Sequence, residues 1–283
     1  MLRLICFVIL MTFSALAQTE TKAEFEVVSV KPSPPAQPGV PMNVGCNGGP
    51  GTTDPTTFRC TNMNLANLIT AAYGIMRFQL TGPDWMQNQR FEISARVAGE
   101  PSREQLNLML QNMLAGRFKL AVHRETKEMP RYELVVAKNG PKLKPSDTDP
   151  GPRSADPPDP SPPKMDKDMY PVLKPGQAGT IIINGRARTF RPNCTMQQFA
   201  QILSGQLGKP VVDSTGLSGR YDISFYWARE TLTGGPGAEP SPGDPGPTLE
   251  QAIQDQLGLR LVSDRGPVEF IVVDRLEKLP SEN

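Results

Sequence analysis

One order of elements runs twice through this chain, and a repeat of that length restricts the fold more than composition does. From Asn62 to Lys138, and again from Asn193 to Asp274, an Asn leads into an apolar-periodic helix. A short strand, an aromatic-acidic-Ile strand, a second helix and a closing hairpin then follow in each block. The anchors are Arg90-Phe91-Glu92-Ile93 against Arg220-Tyr221-Asp222-Ile223, and Tyr132 to Val136 against Val268 to Val273. The pattern predicts an α+β fold of two tandem pseudo-repeats, each with two helices packed on a small, mainly antiparallel sheet.

In the first block, Phe25 to Val30 reads as a strand stopped by Pro32, Pro34 and Pro35, and Phe58-Arg59-Cys60 as its return. Asn62 is expected to cap a helix that turns Leu65, Leu68, Ile69 and Ala72 inward. Phe78-Gln79-Leu80 follows as a short strand. Phe91, Ile93 and Ala95 alternate with polar residues, as in a strand wet on one face. Ser102 and Gln105 form a capping box for a second helix carrying Leu106, Met109, Leu110 and Met113, with Gly116 as its stop. Phe118 to Val122 and Tyr132 to Ala137 then predict a hairpin turning at Glu128-Met129-Pro130. The second block repeats this order: an Asn184-Gly185 turn, a helix capped by Thr195 and stopped at Gly208, the short strand Val211-Val212, and a helix with Leu249, Ala252, Ile253 and Leu257. Leu259 and Leu261 are expected to pair with Phe270 and Val272 across a turn at Asp264 to Pro267.

Met1-Leu2-Arg3, the apolar run Leu4 to Ser14 and Ala15-Leu16-Ala17 have the form of a secretory signal peptide, so residues 1–17 are expected to be removed before Gln18. The run is shorter than the roughly 20 residues a bilayer span needs. No membrane span is expected after cleavage, and the protein is placed in the periplasm or outside the cell. The domains predicted are a first α+β module over 18–145, a Pro-rich linker over 146–178 that is too polar to build a core of its own, and a second module over 179–283. With 30 Lys and Arg against 29 Asp and Glu, nothing favours nucleic acid as a partner.

The segments Phe25 to Pro32, Gly82-Pro83-Asp84-Trp85, Arg117-Phe118-Lys119-Leu120, His123 to Lys127 and Val211 to Leu217 resemble a large paralogous family of secreted proteins of unknown function from soil Acidobacteria. The resemblance spans nearly the whole mature chain. It implies no activity or site residues. Some members of that family are joined to a membrane metallopeptidase of the beta-lactam-sensor type, a domain this chain lacks. The order of helices and strands is also similar to secretin and TonB N-terminal-type modules, a likeness of fold alone.

The chemistry is sparse. His123 is the one histidine, so a His-Glu-x-x-His zinc motif and any multi-histidine metal site are excluded, and there is no Gly-x-Ser-x-Gly elbow. No metal, cofactor or catalytic set is expected. His123 alternates with Val122 and reads as a solvated strand residue rather than a general base. Trp85 and Trp227 fit core packing or an exposed binding aromatic. Arg90 and Arg220 fit exposed strand positions or a repeated anion contact. These five residues are the candidate ligand contacts. Gly48 to Gly51 lacks the Lys-Ser or Lys-Thr of a phosphate loop. Asp213-Ser214-Thr215-Gly216 reads as a turn held by its own side chains.

The expected function is a non-enzymatic binding or sensing protein acting on an envelope protein or an extracellular ligand. The alternatives are a regulator of an envelope metallopeptidase, a hydrolase of unrecognised type, and a structural envelope spacer. Secretion makes a disulfide durable, and Cys46 and Cys60 flank a Gly/Pro-rich loop that can bring them together. Cys194 is expected to stay a buried thiol, with an intermolecular bridge as the alternative. Non-reducing peptide mapping should link Cys46 to Cys60 and leave Cys194 unlinked, and the link should stabilise the fold by about 3 kcal/mol.

Overall fold

A computed structural model of the chain describes residues 23–35, 42–147, 151–152, 164–167, 170–172, 177–183, 185–228 and 246–281. The predicted signal segment 1–17, parts of the Pro-rich stretch 146–178, Asn184 of the predicted turn, and 234–245 of the Gly/Pro insertion lie outside them. The described residues form a mixed α+β fold of four helices and three four-stranded sheets. The earlier elements are β1 (Val27–Pro32), β2 (Gly45–Gly48), β3 (Thr57–Asn64), α1 (Leu65–Tyr73), β4 (Leu80–Thr81), β5 (Arg90–Arg96), α2 (Arg103–Phe118) and β6 (Ala121–Val136). The later ones are β7 (Lys144–Pro145), β8 (Gly179–Ile183), β9 (Arg186–Thr195), α3 (Met196–Leu207), β10 (Val211–Asp213), β11 (Arg220–Ala228), α4 (Leu249–Leu257) and β12 (Leu259–Arg275).

Local chemistry sets the helix ends. Ser102, Thr195 and Thr248 each accept a bond from the backbone of the Gln three residues on, and each of those Gln side chains accepts the cap's N–H in return. Two expectations are corrected. The cap of α1 is Asn64, which accepts from Asn67 N–H at 2.8 Å, and not Asn62. Helix α2 runs past Gly116 to Phe118, because Phe118 is fully buried against Phe91 and the left-handed cap falls on Lys119.

The outer sheets are antiparallel, with orders β1-β5-β3-β2 and β7-β11-β9-β8. A disulfide joins Cys46 to Cys60 across β2 and β3, whose residues pair directly. The Pro-rich stretch falls between β7 and β8, two strands of one sheet.

The middle sheet has the order β10-β6-β12-β4 and corrects both predicted hairpins. Residues 121–136 form one uninterrupted strand, as do 259–275, and the two pair antiparallel along their length with Glu128 opposite Pro267 at the centre. Leu259 pairs with Val136 and Leu261 with Leu134, while Phe270 pairs with Glu125 and Val272 with His123. The prolines that suggest turns are harmless here. The Tyr132 N–H points away from β12 to the Pro210 carbonyl, so position 130, two residues earlier, faces outward beyond the end of β10. The Glu269 carbonyl likewise points out to Gln79, and Pro267 shares its side of the strand. Gly266 is buried beneath the Arg131 side chain, whose guanidinium carbon would lie 2.4 Å from any Cβ there.

The short strands β10 and β4 add in parallel to the outer edges, Val211 opposite Tyr132 and Leu80 opposite Ile271. The far end of each long strand therefore enters the opposite core. Ile271, fully buried, completes the core of α1, α2 and the first sheet, where Phe91 meets Phe118 edge-on at 5.0 Å. Leu134, also fully buried, completes the core of α3, α4 and the third sheet, where Phe199 meets Phe225 at 5.9 Å.

Truncating Ile271 or Leu134 to Ala should cost about 2–5 kcal/mol. In single-tryptophan variants reporting through Trp85 or Trp227, urea unfolding should give one shared midpoint. Two separate midpoints would contradict the coupling of the two cores through the middle sheet.

Candidate functional site

The anchor residues Arg90, Glu92, Arg220 and Asp222 hold two β-bulges. Asn62 and Asn193, at the ends of β3 and β9, adopt left-handed backbone with φ of 52° and 49°, a conformation Asn tolerates better than most residues. The pairing registers slip at these places. Each bulge turns a peptide N–H off the ladder, and a carboxylate takes it: Glu92 accepts from Asn62 at 2.9 Å and Asp222 from Asn193 at 3.0 Å. Arg90 donates to the Asn62 carbonyl at 2.9 Å and Arg220 to the Asn193 carbonyl at 3.0 Å. These charge-assisted bonds supply what the ladder no longer does. The two arginines lie in different sheets and do not converge. Sequence reasoning paired the anchors and the two Asn residues but read those Asn as helix entries and missed the bulges they form, two residues ahead of each helix cap.

Trp227 is buried and donates from Nε1 to Thr189 Oγ1 at 3.1 Å. Trp85 is half-buried against the first core, with Lys278 Nζ 5.5 Å from its ring. Asp213 accepts from the Thr215 N–H and hydroxyl at 3.0 and 2.7 Å, as the turn reading expects. The Cys194 thiol is buried and free, and burial pushes its pKa up to about 11, which makes it a poor nucleophile.

His123 lies exposed on β6. Its Nδ1 is 2.7 Å from Asp274 and its Nε2 3.2 Å from Glu125. Asp274 is the extra residue where the ladder slips between Val273 and Arg275, and that bulge brings its carboxylate to the ring. The bond to Glu125, followed by that to Asp274, raises the histidine pKa above its ordinary 6.5. Lys127, at 2.7 Å, and then His123 lower that of Glu125. The ring bridges the two long strands as an electrostatic clasp.

Concave surfaces remain, two of them beside the middle and third sheets. A groove of about 530 Å³ opens where the turn preceding β4 meets the end of α3, lined by Met76, Phe78, Leu80, Arg77, Gly205 and Gly208. A cleft of about 290 Å³ lies over the third sheet, between Pro171 and Val172 on one side and Ile181, Arg188 and Phe190 on the other. Trp85, Arg90, His123, Arg220 and Trp227 line neither.

The fold and these surfaces define a mixed α+β scaffold held by one disulfide, and no helix among the described residues is long and apolar enough to cross a membrane. The chain belongs to the family of proteins of unknown function DUF3738, whose profile matches residues 66–276. No curated protein and no solved structure matches it.

Glu125→Gln should lower the His123 pKa, as followed by NMR titration of the ring. Because the folded value is the raised one, the clasp adds stability in full below the unfolded value and loses it as pH rises through the folded value. Asp222→Ala leaves the Asn193 N–H without its acceptor and should cost about 1–3 kcal/mol in urea unfolding.

Proposed function

We propose that this is an exported, non-enzymatic binding or sensing protein, built from two copies of one unit that have exchanged their last strands, with its ligand in the groove at their junction. Several correspondences support the duplication. Tyr132 and Ile271 stand at the same distance in sequence from the left-handed caps Lys119 and Gly258, and each receives a short parallel strand from the other half of the chain. The Asn62 and Asn193 bulges carry the same pair of bonds. Residues 18–145 and 179–283 bear the bulk of the two copies on this reading, except that Lys144-Pro145, with Ser146, belongs to the sheet of the second and gives it the strand that Lys31-Pro32-Ser33 gives the first. The Ser33 N–H donates to Arg90 at 2.8 Å and the Ser146 N–H to Arg220 at 2.9 Å. The Cys46–Cys60 disulfide favours an oxidising compartment, in keeping with the leader-like residues 1–17.

The groove carries the binding reading. It lies between the two copies, and its volume is that of a small-ligand or side-chain pocket. Met76 and Phe78 are half-buried there and offer apolar contact beside the exposed Arg77. Gly205 and Gly208, with the small Ser204, keep the opposite wall shallow.

A photo-crosslinking residue at Arg77 should give a saturable adduct in native envelopes, lost on Phe78→Glu. An adduct indifferent to Phe78→Glu would overturn the site. Turnover of peptide, glycan or ester substrates that disappears with His123→Ala would overturn the non-enzymatic reading.

A further inference from the structure

The outer face of the third sheet carries a cover that the Pro-rich composition around it does not suggest. Residues 164–167 and 170–172 fold back on one another: Asp166 N–H donates to the Tyr170 carbonyl at 2.8 Å, Val172 N–H to the Lys164 carbonyl at 2.7 Å, and Met165 bridges Pro171. This clip lies on β9 and β11 through its side chains. Tyr170 is 5% exposed, its hydroxyl donates to the Arg186 carbonyl at 3.2 Å, and its ring meets Tyr226 edge-on at 5.8 Å. The Arg188 guanidinium lies 5.1 Å from the Tyr226 ring and 5.9 Å from that of Tyr170, and it pairs with Asp166 at 2.5 Å. An arginine between aromatic rings and a carboxylate, with a tyrosine-proline pair laid over the aromatic face, is how extended acidic and proline-containing peptides are recognised.

On the first sheet the corresponding face, with Ser94 and Arg96 exposed on β5, has no such clip among the described residues. The clip also leaves part of its seat empty, in the cleft beyond Pro171 between Val172 and the side chains of Ile181 and Phe190. Val172 is 56% exposed. Among the described residues, strand β8 pairs only with β9.

We propose that the outer face of β8, β9 and β11 is a recognition site for an extended segment of another protein that presents an acidic side chain four residues ahead of a tyrosine-proline pair. Residues 164–167 and 170–172 are its built-in occupant, which such a segment displaces. A segment of another protein continues past its proline into the cleft between Val172 and the side chains of Ile181 and Phe190, beyond the contacts made by the described residues of the clip. A second copy of this chain offers only the clip's own contacts. The site is separate from the junction groove and stands without it.

The probe is a fluorescein-labelled peptide of residues 164–171, Lys-Met-Asp-Lys-Asp-Met-Tyr-Pro, extended by four apolar residues and followed by anisotropy against the mature chain. Opening the face with Asp166→Ala and Tyr170→Ala should strengthen binding about tenfold or more by removing the tethered competitor. Arg188→Ala in the opened chain, or alanine for the peptide's tyrosine, should abolish binding. If the opened chain does not fold, excess peptide added to the unaltered chain should strip the hydrogen-exchange protection of the Val172 amide. A folded opened chain that does not bind, binding indifferent to Arg188, protection of Val172 that survives saturating peptide, or reciprocal clip exchange in a dimer seen by light scattering would overturn the proposal.

Discussion

The ladder between β6 and β12 is the constraint on which the rest of the molecule depends. Each strand delivers one half to one core and the other half to the opposite core, so Leu134 and Ile271 are packed by elements far from them in sequence. Backbone pairing over that length fixes register, and register fixes which side chains enter each core. The outer sheets and helices are assembled against surfaces that exist only once the ladder has formed.

The Ser102 and Thr195 caps, the alternating strands and the disulfide were legible because their causes are local: a hydroxyl three residues before a Gln, a period of two, a loop flanked by two cysteines. The pairing of the two long strands with each other was not. Pro130 and the Gly266-Pro267 pair carry ordinary turn chemistry, and the fact that makes them tolerable, an outward-facing backbone position with no neighbour strand, is a property of the assembled sheet. The same holds for Arg90 and Arg220. Their correspondence is visible in the sequence, but their work on the carbonyls of Asn62 and Asn193 depends on a left-handed residue that only the bulge reveals. The clip over the third sheet was missed for another reason. Its neighbours are polar and Pro-rich, and only Tyr170 and Asp166 distinguish it from them.

The ionisable groups of this scaffold are largely engaged with its own chain. Glu92 accepts from both Ser33 and the Asn62 N–H, Arg131 pairs with Asp264 over Gly266, and His123 lies between two carboxylates. Such bonds fix backbone geometry, which suits surfaces that recognise by shape. The exposed clasp at His123 adds a mild pH dependence to the joint between the long strands.

The crossing of the long strands also sets the order in which the molecule can be finished. Residues 57–118 are made early, yet the core they surround lacks Ile271 and the β12 edge against which Leu80 pairs until residue 271 has been added. The Glu277 and Ser281 amides, later still, close on the carbonyls of Phe118 and Arg117 at the end of α2. The first core must therefore wait for a strand made long after it. However early residues 57–118 emerge, they can only close their core once residues 259–275 have been made and brought back to them.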